Sequence, residues 1–92
     1  MKYTIFLSQK AEEQLDFFTK SGDIPRLKKI RKLLDELEEH PTTGTGKPEL
    51  LKHELSGYWS RRIDSKNRMI YSIDNATIVV DVLSVKGHYN DK

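Results

Sequence analysis

The sequence contains no cysteine, and this absence excludes disulfide bonds and metal sites built from thiolates. The three histidines, His40, His53 and His88, lie far apart and lack the short, regular spacing of zinc ligands. No apolar stretch approaches the length of a membrane span, and the apolar run near the N-terminus is too short for a signal peptide. We therefore expect a soluble, cytoplasmic protein that binds no metal and no other cofactor.

The net charge is also small, +2 over 92 residues, a length that fits one domain spanning residues 1–92. Cations are nevertheless concentrated in residues 47–68, where Tyr58 and Trp59 lie among them. Such a mixture fits a phosphate-contacting face with groups for stacking on bases. An ordinary solvated strand surface is the alternative, and composition alone favours it. The cations are Lys47, Lys52, Arg61, Arg62, Lys66 and Arg68.

Two helices are predicted in the first half of the chain. Ser8 is a suitable N-cap for a helix that runs to about Thr19. A second helix begins at Asp23, with a proline in its first turn, and ends at Pro41. The residues expected to face the core are Ala11, Leu15 and Phe18, with Phe17 beside them, and then Leu27, Ile30, Leu34 and Leu37.

The remaining segments predict strands. Residues 2–7 alternate between apolar and polar positions, and three further runs follow a loop rich in glycine, threonine and proline at residues 41–49. These runs are residues 58–64, 68–73 and 77–84, and the last is apolar enough for a central strand. The order is βααβββ, which predicts an α+β domain with two N-terminal helices packed on one face of a mostly antiparallel sheet.

Arg62 and Arg68 flank a short predicted turn, so they are expected to lie side by side on one face of a hairpin. Adjacent cations repel unless an anion lies between them, which favours a phosphate site. The alternative is that each arginine pairs with a nearby acid, namely Glu49, Glu54 or Asp64. From the residues alone, Glu49 is better explained as a helix-start carboxylate or an exposed loop charge, and the polar pair at residues 88–89 as a frayed terminus.

A longer sequence pattern contains Glu49, Glu54 and Arg62. It runs from Gly46 to Ile63 and reads GKPELLKHELSGYWSRRI, and it is followed by Arg68 and by His88-Tyr89. This pattern resembles the signature of the YoeB (Txe/YoeB) toxins, which belong to the RelE/ParE superfamily of bacterial toxin–antitoxin systems. The resemblance spans nearly the whole chain, is weakest over residues 1–40, and implies the microbial ribonuclease-like fold of that superfamily.

The resemblance also implies an activity, a ribosome-dependent endoribonuclease that cuts mRNA in the ribosomal A site. Glu49 matches the general base of the family, His88 its general acid, and Arg68 the arginine that stabilises the phosphate transition state. Lys52 and Arg62 match basic residues near the scissile phosphate, and Tyr89 matches the tyrosine beside the catalytic histidine.

Partners and alternatives follow from the same resemblance. It implies mRNA on the ribosome as the substrate, a cognate antitoxin of the YefM/Phd type, a toxin homodimer, and binding of the toxin–antitoxin complex to its own operator DNA. Two other functions remain open. A gyrase-inhibiting toxin of the ParE type would share the fold but lack the carboxylate, arginine and histidine set, and a non-catalytic RNA- or protein-binding module would use the basic face only for docking.

Overall fold

A computed structural model describes residues 2–87 of the chain. The predicted α+β class and the order of the predicted elements are confirmed, with one additional short strand after the second helix. The elements are β1 (Thr4–Leu7), α1 (Gln9–Lys20), α2 (Ile24–Glu39), β2 (Glu49–Leu50), a 3-10 turn (His53–Leu55), β3 (Trp59–Arg62), β4 (Arg68–Asp74) and β5 (Val79–Ser84).

Both helices begin at the predicted capping residues. The Ser8 hydroxyl accepts a hydrogen bond from the backbone N–H of Ala11 at 3.0 Å, and the Asp23 carboxylate accepts one from Arg26 N at 3.3 Å. Each cap provides a partner for an N–H group that the first helical turn leaves without one. Neither helix is long and apolar enough to cross a membrane, as judged over residues 2–87.

The sheet has the strand order β1-β5-β4-β3-β2. β1 and β5 run parallel, and the other three neighbouring pairs are antiparallel. β5 therefore has a partner on each side, as predicted for the most apolar run. β2 has only two residues, which pair with Ser60 and Trp59 of β3. The sequence interpretation placed Glu49 in a loop, because two residues are too few to show an alternating pattern.

The helices bury one face of the sheet. The core between them differs from the predicted core at two residues. Leu33, which the sequence interpretation left out, is fully buried. Phe17 was expected beside the core but is 55% exposed, since it lies one position, or about 100° of helical rotation, from the buried Phe18. The Phe17 ring instead contacts the ammonium group of Lys86 at 5.0 Å.

Strand alternation divides the sheet residues between two faces. The face that packs against the helices contains Met69, Tyr71, Val80 and Val82, all of which belong to the core. We call the opposite side the distal face. The registers of the strand pairs place on it, among others, Phe6, Glu49, Tyr58, Ser60, Arg62, Arg68, Ile70, Ser72 and Asp81.

Candidate active site

Arg62 and Arg68 are opposite each other across the β3–β4 hairpin, on the distal face. The predicted proximity of the two arginines is therefore confirmed by the register. Directly opposite residues of an antiparallel pair have Cβ atoms about 4.5–5.5 Å apart, so the two arginine side chains leave the sheet side by side. Arg62 is exposed, and within residues 2–87 no carboxylate forms an ion pair with it.

The turn that joins these strands is held by Asp64. Its carboxylate accepts hydrogen bonds from the backbone N–H groups of Lys66 at 2.8 Å and Asn67 at 2.9 Å. The same carboxylate pairs with Arg26 of α2, whose Nε lies 2.7 Å from Oδ2. The described contacts of Asp64 are therefore with the turn and with α2, and none of the ion pairs among residues 2–87 joins it to Arg62.

These contacts also change the acidity of Asp64. Partial burial raises the pKa of this carboxyl, but the hydrogen bonds from Lys66, Arg26 and Asn67 outweigh that effect and lower the pKa to about 2. The ionised form is thus strongly favoured at neutral pH. Asp64 acts as a fixed anchor for the turn rather than as a proton acceptor in catalysis.

The segment that leads to His88 is tied to the same turn. Gly87 donates a backbone hydrogen bond to the Asn67 side-chain oxygen at 2.8 Å, and its carbonyl accepts one from Arg68 N at 3.0 Å. The chain therefore reaches residue 87 directly beside Arg68. His88 and Tyr89, the proposed acid and its neighbour, lie outside the described residues.

Glu49 shares the distal face with the two arginines. It is exposed and pairs with Ser60 of β3, two positions along the strand from Arg62. Glu49 and Arg62 are therefore diagonal neighbours, a relationship in which Cα atoms lie about 7–8 Å apart. The carboxylate and the guanidinium group therefore leave the same face of the sheet from neighbouring strands.

Lys52 is exposed and immediately precedes the 3-10 turn His53–Leu55. It lies outside the strand pairs, so the sheet register does not bring it to the arginines. Among residues 2–87, no three histidine, aspartate or glutamate side chains are close enough to hold a metal ion.

Arg61 does not belong to the basic face that the sequence predicts for residues 47–68. It is fully buried on the side of the sheet that packs against the helices, because neighbouring strand residues point in opposite directions. Its guanidinium donates to Glu36 Oε1 at 2.8 Å, to the Tyr71 hydroxyl from Nε at 3.1 Å, and to backbone carbonyls after α2. Those carbonyls belong to His40, Thr43 and Thr45.

The arrangement around Arg61 fixes the loop that leads to Glu49. The Tyr71 hydroxyl donates to the carbonyl of Pro41 at 2.7 Å, and Thr45 N donates to Glu36 at 2.8 Å. Burial raises the pKa of Tyr71, although the guanidinium of Arg61 opposes this increase. Sequence reasoning missed the role of Arg61, and the only available signal was its position on the same strand face as Trp59, which also packs against the core.

Gly46 brings the same loop into backbone contact with β3. Its carbonyl accepts a hydrogen bond from Arg62 N at 2.7 Å. A Cβ atom at this position would lie only 2.7 Å from the Arg62 carbonyl oxygen, and the backbone has a φ of +86°. Glycine is therefore required both by the close approach and by the left-handed conformation.

The chain is similar to known proteins in both sequence and fold. Residues 7–89 match the family model of the YoeB-like toxin of bacterial type II toxin-antitoxin systems. The Toxin YoeB of Mycobacterium bovis is 39% identical to this chain over 72 residues, which make up 78% of this chain and 82% of the relative.

Solved structures share the fold along nearly the whole chain. The YoeB/ParE toxin from Agrobacterium tumefaciens has a TM-score of 0.87 at 29% identity, over 94% of this chain and 99% of that one. YoeB from Staphylococcus aureus, 36% identical, has been solved as a dimer with a TM-score of 0.82 and in a heterotetrameric YoeB-YefM complex with a TM-score of 0.80. Each match covers 97% of this chain and 100% of the other. This chain is therefore a member of the YoeB-like toxin family of bacterial type II toxin–antitoxin systems, and it has the RelE/ParE fold.

Proposed function

We propose that this toxin is a ribosome-dependent endoribonuclease that cleaves mRNA in the ribosomal A site and so inhibits translation. The observation that carries the proposal is the position of Arg62 directly opposite Arg68, on the same sheet face as Glu49. Two cations held side by side form a site for a phosphate, and a carboxylate one diagonal away is within reach of the adjoining ribose.

The proposed reaction needs no metal ion. Glu49 removes the proton from a ribose 2′-hydroxyl, whose oxygen attacks the adjacent phosphorus in line with the 5′-oxygen that leaves. Arg68, Arg62 and Lys52 stabilise the charge that develops on the phosphate, and His88 donates a proton to the departing oxygen while Tyr89 contacts the substrate beside it. The O2′–P bond forms as the P–O5′ bond breaks, which leaves a 2′,3′-cyclic phosphate and a 5′-hydroxyl.

The dependence on the ribosome has a physical reason. Glu49 is exposed on a short edge strand rather than enclosed in a pocket, so the toxin alone does little to hold a substrate against it. The catalytic groups therefore need a substrate that is already held in the reactive conformation. Positioning by the ribosome can supply a large part of the rate enhancement, since well-oriented reactants gain about 7–11 kcal/mol.

The proposed partners follow from the family. We propose that an acidic segment of a YefM/Phd-like antitoxin covers the part of the distal face that contains Arg62 and Arg68, or displaces the segment that carries His88. Binding of a disordered antitoxin segment with coupled folding would suit this role. We also propose that the toxin forms a homodimer and that the toxin–antitoxin complex binds its operator DNA.

The test is primer extension on cellular mRNA after the toxin is induced. Wild-type toxin should produce discrete cuts within translated codons, and Glu49→Gln, Arg68→Ala and His88→Ala should each abolish the cuts and relieve growth arrest. Glu54→Gln is the matched control, because it removes the same charge at an exposed position in the 3-10 turn. Translation arrest without cuts would indicate a non-catalytic module, and loss of DNA supercoiling before translation would indicate a gyrase inhibitor. Either result would overturn the proposal.

A further inference from the structure

The distal face contains a groove at the opposite end from the arginines. It has a volume of about 330 Å³, and the side chains that matter for its chemistry are Phe6, Tyr58, Ser72, Asp81 and Leu83. The proposed cleavage reaction uses none of these residues.

The polar and aromatic groups of the groove form a row across the sheet. Asp81 of β5 pairs with Ser72 of β4 on one side and with Phe6 of β1 on the other. Tyr58 extends the row, because Trp59, the next residue, pairs with Tyr71, the residue before Ser72. A carboxylate therefore lies between an aromatic ring and a hydroxyl on one surface.

Exposure shows that these groups are available to a ligand. Phe6 is 55% exposed, and Asp81 is also exposed. Within residues 2–87 no cation forms an ion pair with Asp81. An exposed phenyl ring beside an unneutralised carboxylate is unfavourable for a phosphate but suits a planar group that carries hydrogen-bond donors.

We propose that this groove binds a guanine base of the substrate RNA, close to the cleaved bond in the same strand. The Phe6 ring, with Tyr58 at the other end of the row, provides a surface on which a base can stack. The Asp81 carboxylate accepts two parallel hydrogen bonds from N1–H and the N2 amino group of guanine. Uracil offers only one N–H between two carbonyl oxygens, which the carboxylate would repel.

The groove lies at a distance from the arginines that suits a single RNA strand. Ser72 and Arg68 are four residues apart on β4, which corresponds to about 13 Å at about 3.3 Å per residue. Nucleotides in a stacked strand advance about 3.4 Å each, so a phosphate at the arginines and a base in the groove are at most about four nucleotides apart. This inference rests on the proposed ribonuclease function and adds a sequence preference to it.

A binding experiment tests the groove without any cleavage. Guanosine monophosphate and uridine monophosphate are titrated into ¹⁵N-labelled Glu49→Ala toxin, and amide shifts are followed. Guanosine monophosphate should shift the amides of Phe6, Ser72 and Asp81 and bind at least about fivefold more tightly than uridine monophosphate, and Asp81→Asn should remove the difference. Shifts confined to the arginine end, or none at the groove at millimolar nucleotide, would overturn the proposal.

A cleavage experiment tests whether the groove sets a base preference in the reaction. Ribosomes programmed with mRNAs that vary around the A-site codon are treated with toxin, and cleavage rates are compared for guanine and uracil at each position. Asp81→Asn should reduce the guanine preference at one position roughly 5- to 100-fold, whereas Asp16→Asn, an equal charge change on α1, should not.

The two proposals fail in different ways. Absence of cleavage by the wild-type toxin would overturn the proposed function and, with it, the role of the groove in cleavage. Selective binding of guanosine monophosphate in the titration would then still show that the groove is a guanine site. An unchanged base preference in Asp81→Asn, together with weaker binding of the antitoxin by that variant, would show that the groove holds a peptide rather than a base and would overturn the inference.

Discussion

Glu36 of α2 and Arg61 of β3 form an ion pair in which the arginine is completely buried, with Nη1 2.8 Å from Oε1. Partial burial raises the pKa of Glu36, but hydrogen bonds from Thr45 and the charge of Arg61 outweigh it and leave the pKa below its usual value. The pair connects the second helix to the strand that carries Arg62. The same contacts hold the loop before Glu49, so the fold and the geometry of the candidate site depend on one guanidinium group.

Arg61→Met should destabilise the toxin by about 3–5 kcal/mol, because the substitution removes the buried cation that pairs with Glu36 and that donates to three loop carbonyls. Arg61→Met combined with Glu36→Gln should lose less than the sum of the two single variants. Urea unfolding of the single and double variants measures the loss of stability and the coupling between the two positions. Arg31→Met is the control, since the pair of Arg31 with Asp35 is a long surface contact of 3.8 Å and its loss should change stability by less than about 0.5 kcal/mol. Additive effects at positions 36 and 61 would contradict the coupling.

Asp64→Asn should make the toxin less stable at neutral pH and equally stable in acid. The pKa of Asp64 is about 2 in the folded protein and about 3.9 in an unfolded chain, so its contribution is present above pH 4 and disappears as the pH falls towards 2. Because the carboxylate is partly exposed, we expect a loss of only about 1–2 kcal/mol near pH 7. Urea midpoints of both proteins between about pH 7 and pH 2 provide the measurement. A constant difference across that range would show that the hydrogen bonds do not depend on the charge.

Gly46→Ala should impair both stability and cleavage. Gly22→Ala is the matched control, because Gly22 also has a positive φ but has open space around the missing Cβ. Both variants should lose about 1 kcal/mol or more through backbone strain, and Gly46→Ala should lose more because its methyl group meets the Arg62 carbonyl. Unfolding midpoints and rates of mRNA cleavage by the two variants are the measurements. Equal losses at the two positions would mean that the loop can move away from β3 without consequence.

Ribosome binding should weaken steeply with salt, because phosphate contacts release counterions. The cations expected at this interface are those of residues 47–68 other than the buried Arg61, together with Lys28, Lys29, Arg31 and Lys32 of α2. Arg62→Ala should lower the slope of log affinity against log salt by about one, whereas Lys20→Ala on α1 should leave it unchanged. Sedimentation of labelled toxin with ribosomes at several salt concentrations measures the slope. Affinity that is equal at low and high salt would contradict an electrostatic interface.

The periodic parts of the fold could be predicted from the sequence, and the parts that depend on tertiary contacts could not. Ser8 and Asp23 mark the helix starts because capping is a local interaction, and Arg62 and Arg68 follow from alternation across a short turn. β2 becomes a strand only through its partner β3. The parallel pairing of β1 with β5 is equally absent from any local pattern.

The site was harder to predict because the charge of a strand residue does not determine which face of the sheet its side chain lies on. Arg61 and Arg62 are adjacent and identical in chemistry, yet one is buried as a structural donor and the other is exposed on the distal face. Only the knowledge of which face the helices cover separates them. The role of Asn67, which binds Gly87 next to Arg68, requires two segments 20 residues apart to meet.

The pairing of β1 with β5 also has a consequence for how the toxin is made. The strand nearest the N-terminus has its sheet partner among residues 79–84, so the helices cannot complete their packing against the sheet until those residues are available. Contacts between such distant parts of a chain form late and slowly in folding. A nascent chain therefore cannot complete this sheet before residues 79–84 have been synthesised. The backbone contact between Arg68 and Gly87 likewise needs residues beyond β5, so the surroundings of Arg68 assemble only after β5 has inserted between β1 and β4.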